Sequence, residues 1–581
     1  MKYTDRQVQV PLCAISTASS LLNKTGSWKF AEPQFIDRSS PCNQQCPAGE
    51  DITGYMYLAG QERFDEAWQL IMEENPFPAT MGRVCFHTCE DKCNRKDHDE
   101  ALAIHTVERF IGDYGLSNGL KVTIAKEIKG KKVAIVGAGP GGLSAAYHLR
   151  KMGYTVHVFD LNEKPGGLLR YGIPSYRLPK NVIDGEIGRL YDMGIEFKME
   201  TQVGKDISWD DLDKQFDAVF ITIGAYKEQS LGIAGLEKGG VFKALEFLKD
   251  VNKGNKPVLG KKIAIIGGGN SAIDCAMVSR RLGAEVTIVY RRTEQEMPAH
   301  VEEIEMAKEE GVDFLFLSNP AEVYGNTNIT GLKLEKMTLG EKDSSGRRRP
   351  VATGETFDVD FDAMILAVGE ATDEKDLPSF VNHTKGVVGT DFMGQTNKAK
   401  FFAGGDIIDI PHTVTNAIGA GKRAALGIDR FLQGLKDDGN ELERFRWGDE
   451  GNISNAGIHG VRFFPRKNPD YEVVDQNDLN TFYFDHRPRI KTLSLSSKER
   501  VHTFDEIIQP QSKDSIVAEA RRCFNCGSCT ECGNCYTFCP DNAIKKDPDG
   551  YGFFVDLDYC KGCGICVYEC PRGAMKMKYM E

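Results

Sequence analysis

The sequence has no surplus of basic residues. Lys and Arg number 72 against 84 Asp and Glu, a net charge of -12. That balance argues against a nucleic-acid partner, which needs a cationic face to neutralise phosphates. Nor is there a continuous apolar stretch of bilayer-spanning length, and the opening MKYTDRQVQV carries no apolar core of the kind an export signal needs. The expectation is a protein without a membrane span, kept in the cytoplasm. The 17 cysteines do not form the disulfide framework of a small secreted domain. They fall at metal-ligand spacings in a chain of 581 residues, which fits thiolate-bound metal in a reducing compartment. A chain of this length exceeds one hydrophobic core and divides into several domains.

The central stretch is Lys132-Val133-Ala134-Ile135-Val136-Gly137-Ala138-Gly139-Pro140-Gly141-Gly142. Its apolar run reads as a buried parallel strand. Gly137, Gly139 and Gly142, at G-x-G-x-x-G spacing, make a tight turn, admit a pyrophosphate to the backbone and let the next helix pack closely. Asp160 ends the following strand, where an acid accepts hydrogen bonds from a ribose hydroxyl. Next, Gly166, Gly167, Leu168, Arg170, Gly172 and Ile173 form a Gly-rich loop suited to backbone contact with a ring system. The first pattern then recurs as Lys262-Ile263-Ala264-Ile265-Ile266-Gly267-Gly268-Gly269-Asn270-Ser271-Ala272. Its second strand ends in Arg291 and Arg292 instead of an acid, and two guanidiniums suit a 2′-phosphate. Two further strands, beginning near Phe216 and Phe361, run to Gly224 and Gly369 and are placed to close each dinucleotide domain. A short strand then ends at Gly405-Asp406, and a small-residue helix starting at Thr413 and including Ala417 turns its N-terminus toward a cofactor. Chain that returns after the second domain thus completes the first.

The cysteines carry the most specific spacing. Cys529, Cys532, Cys535 and Cys539-Pro540 recur as Cys560, Cys563, Cys566 and Cys570-Pro571. Two such runs hold two cubane iron–sulfur clusters, the fourth cysteine of each ligating the other cluster, because soft thiolates suit the core. Near the start, Cys42, Cys46, Cys85, Cys89 and Cys93 lie among helical segments. Glu108 follows on a helix, where periodicity alone reads it as solvated or salt-bridged. The expected organisation is an arm (1–38), a helical iron–sulfur domain (39–125), a first dinucleotide domain (126–258 and 370–435), an inserted second one (259–369), an extended connector (436–515) and a two-cluster domain (516–581).

From about residue 39 to 435 these motifs resemble the small (β) subunit of bacterial glutamate synthase. They are also similar to the matching domains of dihydropyrimidine dehydrogenase and of the large subunit of NADH-dependent ferredoxin:NADP oxidoreductase. The terminal part resembles a bacterial two-cluster ferredoxin. The resemblance implies an α/β fold with two Rossmann-like domains, one inserted in the other, an N-terminal α-helical iron–sulfur domain and a C-terminal ferredoxin-like α+β domain. It implies FAD on the first glycine motif, on the Gly166-Gly167 loop and on Gly405-Asp406, with NADP(H), or NAD(H), on the second. The N-terminal domain of such proteins holds two 4Fe-4S clusters, four with the ferredoxin pair. Here the usual Cys-x2-Cys-Gly ahead of Cys42 is missing, and Met81 stands where cysteine is common. A like pattern occurs at Cys523-Phe524-Asn525-Cys526-Gly527, and Glu108 occupies a place where relatives sometimes use Glu or Gln. The implied sets are Cys42, Cys93, Cys523 and Cys526, and Cys46, Cys85, Cys89 and Glu108, with a single N-terminal cluster as the alternative. Cys13 and Cys275 are left over. The implied function is an NAD(P)H:ferredoxin or acceptor oxidoreductase subunit, working in either direction with other subunits or a soluble ferredoxin, with no catalytic side chain beyond the flavin. The alternatives are a glutamate synthase small subunit, which has no ferredoxin tail, and a non-catalytic relay subunit.

Overall fold

Runs of Val, Ile and Ala build two five-stranded sheets. Parallel strands covered on both faces need such uninterrupted apolar stretches, and Val133, Ala134 and Ile135, like Ile263, Ala264 and Ile265, are fully buried. The computed structural model describes residues 22, 24–125, 129–343, 345–435, 440–448, 451–464, 469–548 and 550–580. Cys13 and the whole first half of the predicted arm lie outside them. The first sheet runs in the order Phe401–Ala403, Ala218–Ile221, Lys132–Val136, Thr155–Phe159, Glu196–Lys198, all parallel. The second runs Asp313–Phe316, Glu285–Tyr290, Lys262–Ile266, Ala363–Leu366, Val241–Lys243, again all parallel. Because Phe401–Ala403 follows the whole second sheet in sequence, the second unit is inserted in the first. An antiparallel sheet of Ser318–Tyr324, Gly331–Lys342 and Arg348–Val359 extends the inserted unit.

One expected boundary is corrected. Val241–Lys243, assigned from sequence to the first dinucleotide domain, hydrogen-bonds to Ala363–Leu366 in the second sheet. The helix after it buries Ala244, Phe247 and Leu248 in that sheet's core. A three-residue strand carries no pattern that says which sheet it joins, because its partner lies far along the chain.

Helix Val414–Leu432 joins the parts. Thr413 caps it, its hydroxyl accepting from the Asn416 N–H. Its glycines permit contact that no side chain would: a Cβ on Gly421 would lie 2.1 Å from the Gly141 carbonyl oxygen, and one on Gly419 2.0 Å from that of Pro47. Fully buried Lys422 on this helix donates to Ala48 O, to Ile453 O and to the buried Glu74 carboxylate. Glu74 also accepts from Ser454 Oγ and from the N–H groups of Asn455 and Ala456. Helical domain, helix Val414–Leu432 and connector thus meet at one ion pair.

The N-terminal helices Ile52–Gly60, Phe64–Met72, Pro78–Val84 and Ile104–Ser117 bury Trp68, Ile71, Val107 and Ile111. The connector wraps over them: Pro469–Val473 runs parallel to Asp37–Ser39, Arg489 pairs with Glu90, and Glu506 meets Arg83 and Arg109. Helix Lys513–Ala520 then packs on Ile52–Gly60. At the end of the chain Met575–Tyr579 pairs antiparallel with Ala31–Phe35, so the described part of the arm lies on the two-cluster unit. No helix among the described residues is long and apolar enough to cross a membrane.

Lys422→Met strands the Glu74 carboxylate in the interior. Removing one partner of a buried pair costs about 3–5 kcal/mol. The variant is expected to show a lower thermal midpoint and faster proteolysis in the connector; an unchanged midpoint would remove this pair from the supports of the fold.

Candidate functional site

Both glycine turns open on one cavity of about 760 Å³, within the roughly 300–1,000 Å³ typical of ligand sites. Gly139, Pro140, Gly141, Gly167, Leu168, Gly172, Ile173, Gly224, Gly405, Asp406, Thr413 and Ala417 line it from the first unit. Gly267, Gly269, Asn270, Ser271, Arg291, Arg292 and Gly369 line it from the second. Gly139 and Gly142 divide the work of the turn. A Cβ on Gly139 would meet nothing within 4 Å, leaving room for a ligand, whereas one on Gly142 would come 1.9 Å from Gly137 O. Helices Pro140–Lys151, Asn270–Arg281 and Val414–Leu432 each begin at this cavity, where their first N–H groups favour anions.

Other predicted residues stand behind the wall. The Asp160 carboxylate accepts from Ala138 N at 2.7 Å, Asn162 N at 2.8 Å and Asn162 Nδ2 at 3.0 Å, so it braces the glycine turn. Gly137 and Gly166 shape turns, and Gly142 and Ala272 lie in the first turns of the following helices, none of them lining the cavity. Arg170 donates to Pro165 O and Asp184, each at 2.6 Å, and is not part of the wall either. Of the two arginines, buried Arg292 is held by Asp343 at 2.6 Å and Arg348 O at 2.8 Å, while Arg291 is exposed. Arg177 and Arg347, which sequence reasoning missed, add two more guanidiniums to the lining, Arg177 being held by Asp274 and Glu303.

The cysteines gather in four groups. Burial pushes the Cys42 thiol up, and the neighbouring Cys523, Cys93 and Cys526 raise it further. The return of the chain is held by Asn525 Nδ2 donating to Thr53 O at 3.0 Å, by Arg522 on Asp99 at 2.9 Å and by Arg95 on Arg522 O. Cys46, Cys85 and Cys89 share a second pocket with Glu108. There burial and then the Glu108 charge push Cys85 up to about 12. In the terminal unit, Cys535 faces Cys529, Cys570 and Cys532, whereas Cys566 faces Cys560, Cys563 and Cys539. The fourth cysteine of each run therefore sits with the other run. All described cysteines are free thiols. Four groups of mostly buried soft donors, each raising its neighbours' pKa, fit iron–sulfur cores, whose iron offsets the thiolate charge.

The second pocket also corrects the periodic reading of Glu108, which is 5 % exposed and neither solvated nor in a described salt bridge. Asn75 Nδ2 donates to Glu108 Oε1 at 3.1 Å and to Glu50 Oε1 at 2.9 Å. Burial, first of all, pushes the Glu50 carboxyl up to about 7 and raises Glu108 as well. Glu50 went unnoticed in the sequence, although an acid just after Cys46-Pro47 was a signal. Thr415 gave none: its Oγ1 lies 3.1 Å from Cys85 Sγ, a meeting only the tertiary fold creates.

Three family models match: pyridine nucleotide-disulphide oxidoreductase over residues 131–421, dihydropyrimidine dehydrogenase domain II, 4Fe-4S cluster, over 37–120, and 4Fe-4S dicluster domain over 528–574. The chain is 36% identical over 519 residues to the NADP(+)-dependent formate dehydrogenase subunit beta of Moorella thermoacetica, covering 84% of this chain and 70% of that one. To the NADPH-Fe(3+) oxidoreductase subunit beta of Geobacter sulfurreducens it is 35% identical over 530 residues, covering 85% and 76%. To the glutamate synthase (NADPH) small chain of Escherichia coli it is 37% identical over 417 residues, covering 68% and 88%.

Replacing Cys523 with Ala tests the first thiol group. Iron per purified chain is expected to fall by about four, one cubane, with flavin content unchanged. Iron equal to wild type would separate Cys523 from any cluster.

Proposed function

Since the chain belongs to the pyridine nucleotide-disulphide oxidoreductase family, we propose that it is the NADPH-oxidising or NADP-reducing subunit of a larger oxidoreductase. Its cofactors are FAD, NADP(H) and 4Fe-4S clusters. The residues support four of these clusters. Bound FAD supplies the conversion of one hydride into two single electrons with release of one proton, since a nicotinamide gives electrons in pairs and a cluster accepts them singly.

The chain binds, aligns and insulates. The three helix N-termini hold phosphates, the loop at Gly172 and Ile173 offers backbone to a ring, and exposed Arg291 supplies a charge for a 2′-phosphate while Asp343 fixes Arg292. The observation that carries this reading is the shared cavity: both dinucleotide turns face it, and Val84 and Phe86, on either side of Cys85, form part of its wall. Electrons therefore enter at the Cys46, Cys85, Cys89 and Glu108 set. Cys42 on helix Pro41–Gln45 and Cys46 at its C-cap are four residues apart, which supports the Cys42, Cys93, Cys523 and Cys526 set as the next step. The ferredoxin-like pair follows, where exposed Cys532 and Cys563 mark the exit to a partner subunit or a soluble ferredoxin. The longer matches to the two β subunits favour this role over that of a glutamate synthase small chain. Cysteines at metal-ligand spacings support a reducing compartment, the cytoplasm, for this protein.

Two measurements test the reading. Anaerobic analysis is expected to give about sixteen iron per FAD, as four cubanes require, with NADPH bleaching both flavin and clusters; about twelve would remove one N-terminal set. Arg291→Ala is expected to weaken NADPH by about tenfold or more, the worth of one charge-assisted hydrogen bond, and to leave NADH nearly unchanged. Equal losses for both nucleotides would overturn the 2′-phosphate assignment.

A further inference from the structure

We infer that Thr415 raises the reduction potential of the cluster nearest the dinucleotide cavity by donating a hydrogen bond to Cys85. This rests on the ligand set proposed above. Thr415 is buried on the first turn of helix Val414–Leu432, between Val414 and Ala417, both of which line the cavity. Its Oγ1 lies 3.1 Å from Cys85 Sγ, the one described hydrogen-bond partner of that hydroxyl. A ligating thiolate has no proton to give, so the hydroxyl is the donor. The His87 N–H, at 3.2 Å, is the second donor to the same sulfur.

The origin of this donor sets it apart. Other described donors to cluster cysteines come from the helical domain or the chain end, among them Ser40 at Cys42, the Leu102 N–H at Cys93, Asn94 at Cys526, Asn525 N at Cys523 and Ala543 N at Cys539. Thr415 alone among them belongs to the dinucleotide-binding part. The physical effect has a definite sign. One electron added to the cluster increases the negative charge on its sulfurs, and a hydrogen bond to a more negative acceptor is stronger. In a dry pocket that difference is weakly screened. The reduced form is stabilised more than the oxidised form, and the potential rises. Thr415 is thus a positioning and tuning residue that makes the first acceptor easier to reduce from the flavin side.

The test uses the full-length holoprotein with Thr415→Val, which keeps the shape and loses the hydroxyl, and Thr415→Ser, which keeps the hydroxyl. Both are titrated anaerobically and followed by electron paramagnetic resonance. In the Val variant one cluster signal is expected to move to lower potential, the other three staying in place and iron and flavin contents matching wild type. The Ser variant is expected to return the signal toward its wild-type position. A Val variant that titrates like wild type, or Val and Ser variants that shift alike, would overturn the inference while leaving the ligand set intact. A Cys85→Ala variant whose iron content matches wild type, instead of falling by about four, one cubane, would overturn the ligand set first and this inference with it.

Discussion

Buried thiols that face one another repel as soon as they ionise, and here that repulsion is concentrated by design of the fold. Cys42 is forced upward by burial and by three neighbouring cysteines drawn from both ends of the chain. Such a pocket is stable only if the sulfurs stay protonated or if a cation joins them. The surrounding contacts hold the thiols together regardless: Arg522 on Asp99 and Glu519, Arg95 on Asp99, and Asn525 on the backbone of Thr53. Much of the fold around the helical domain can be understood as scaffolding for a repulsive cluster that iron, in the reading proposed above, would turn into an attractive one.

Helix Val414–Leu432 gives that scaffold its connection to the dinucleotide part. Its glycines bring it against both the first glycine turn and Pro47, and Lys422 fastens it to Glu74. The same helix that presents Thr413 to the cavity presents Thr415 to a candidate cluster ligand. Rigid placement matters for single-electron transfer, because the distance between centres is set by the protein and not by diffusion. Close helix packing without intervening side chains is one way to keep it short.

Legibility in the sequence followed the range of each interaction. The two glycine turns and the paired cysteine runs could be read because their chemistry demands local spacing, such as Gly137 to Gly142 or Cys529 to Cys535. The meeting of Cys42 with Cys523 has no local signature and could be reached only through resemblance and by accounting for every cysteine. Glu108 shows how periodicity misleads: a carboxylate on a buried face looks like a misplaced surface residue until Asn75 and Glu50 are seen beside it. Val241–Lys243 is too short to state its sheet. Asp160 stands where the motif predicts, yet its oxygens are taken by the turn it supports.

The closure of the Cys42 pocket has a consequence for how the protein is made. Cys42 and Cys93 leave the ribosome early, whereas Cys523 and Cys526 lie near the end of the chain. At synthesis rates of about 5–20 residues per second, the pocket waits on the order of tens of seconds with half its sulfurs absent. During that interval the helical domain can bury its apolar core but cannot complete the metal-binding ring. Assembly of the proposed centre is therefore a late event, and a truncated product would lose a candidate site more than four-fifths of the chain away from the break.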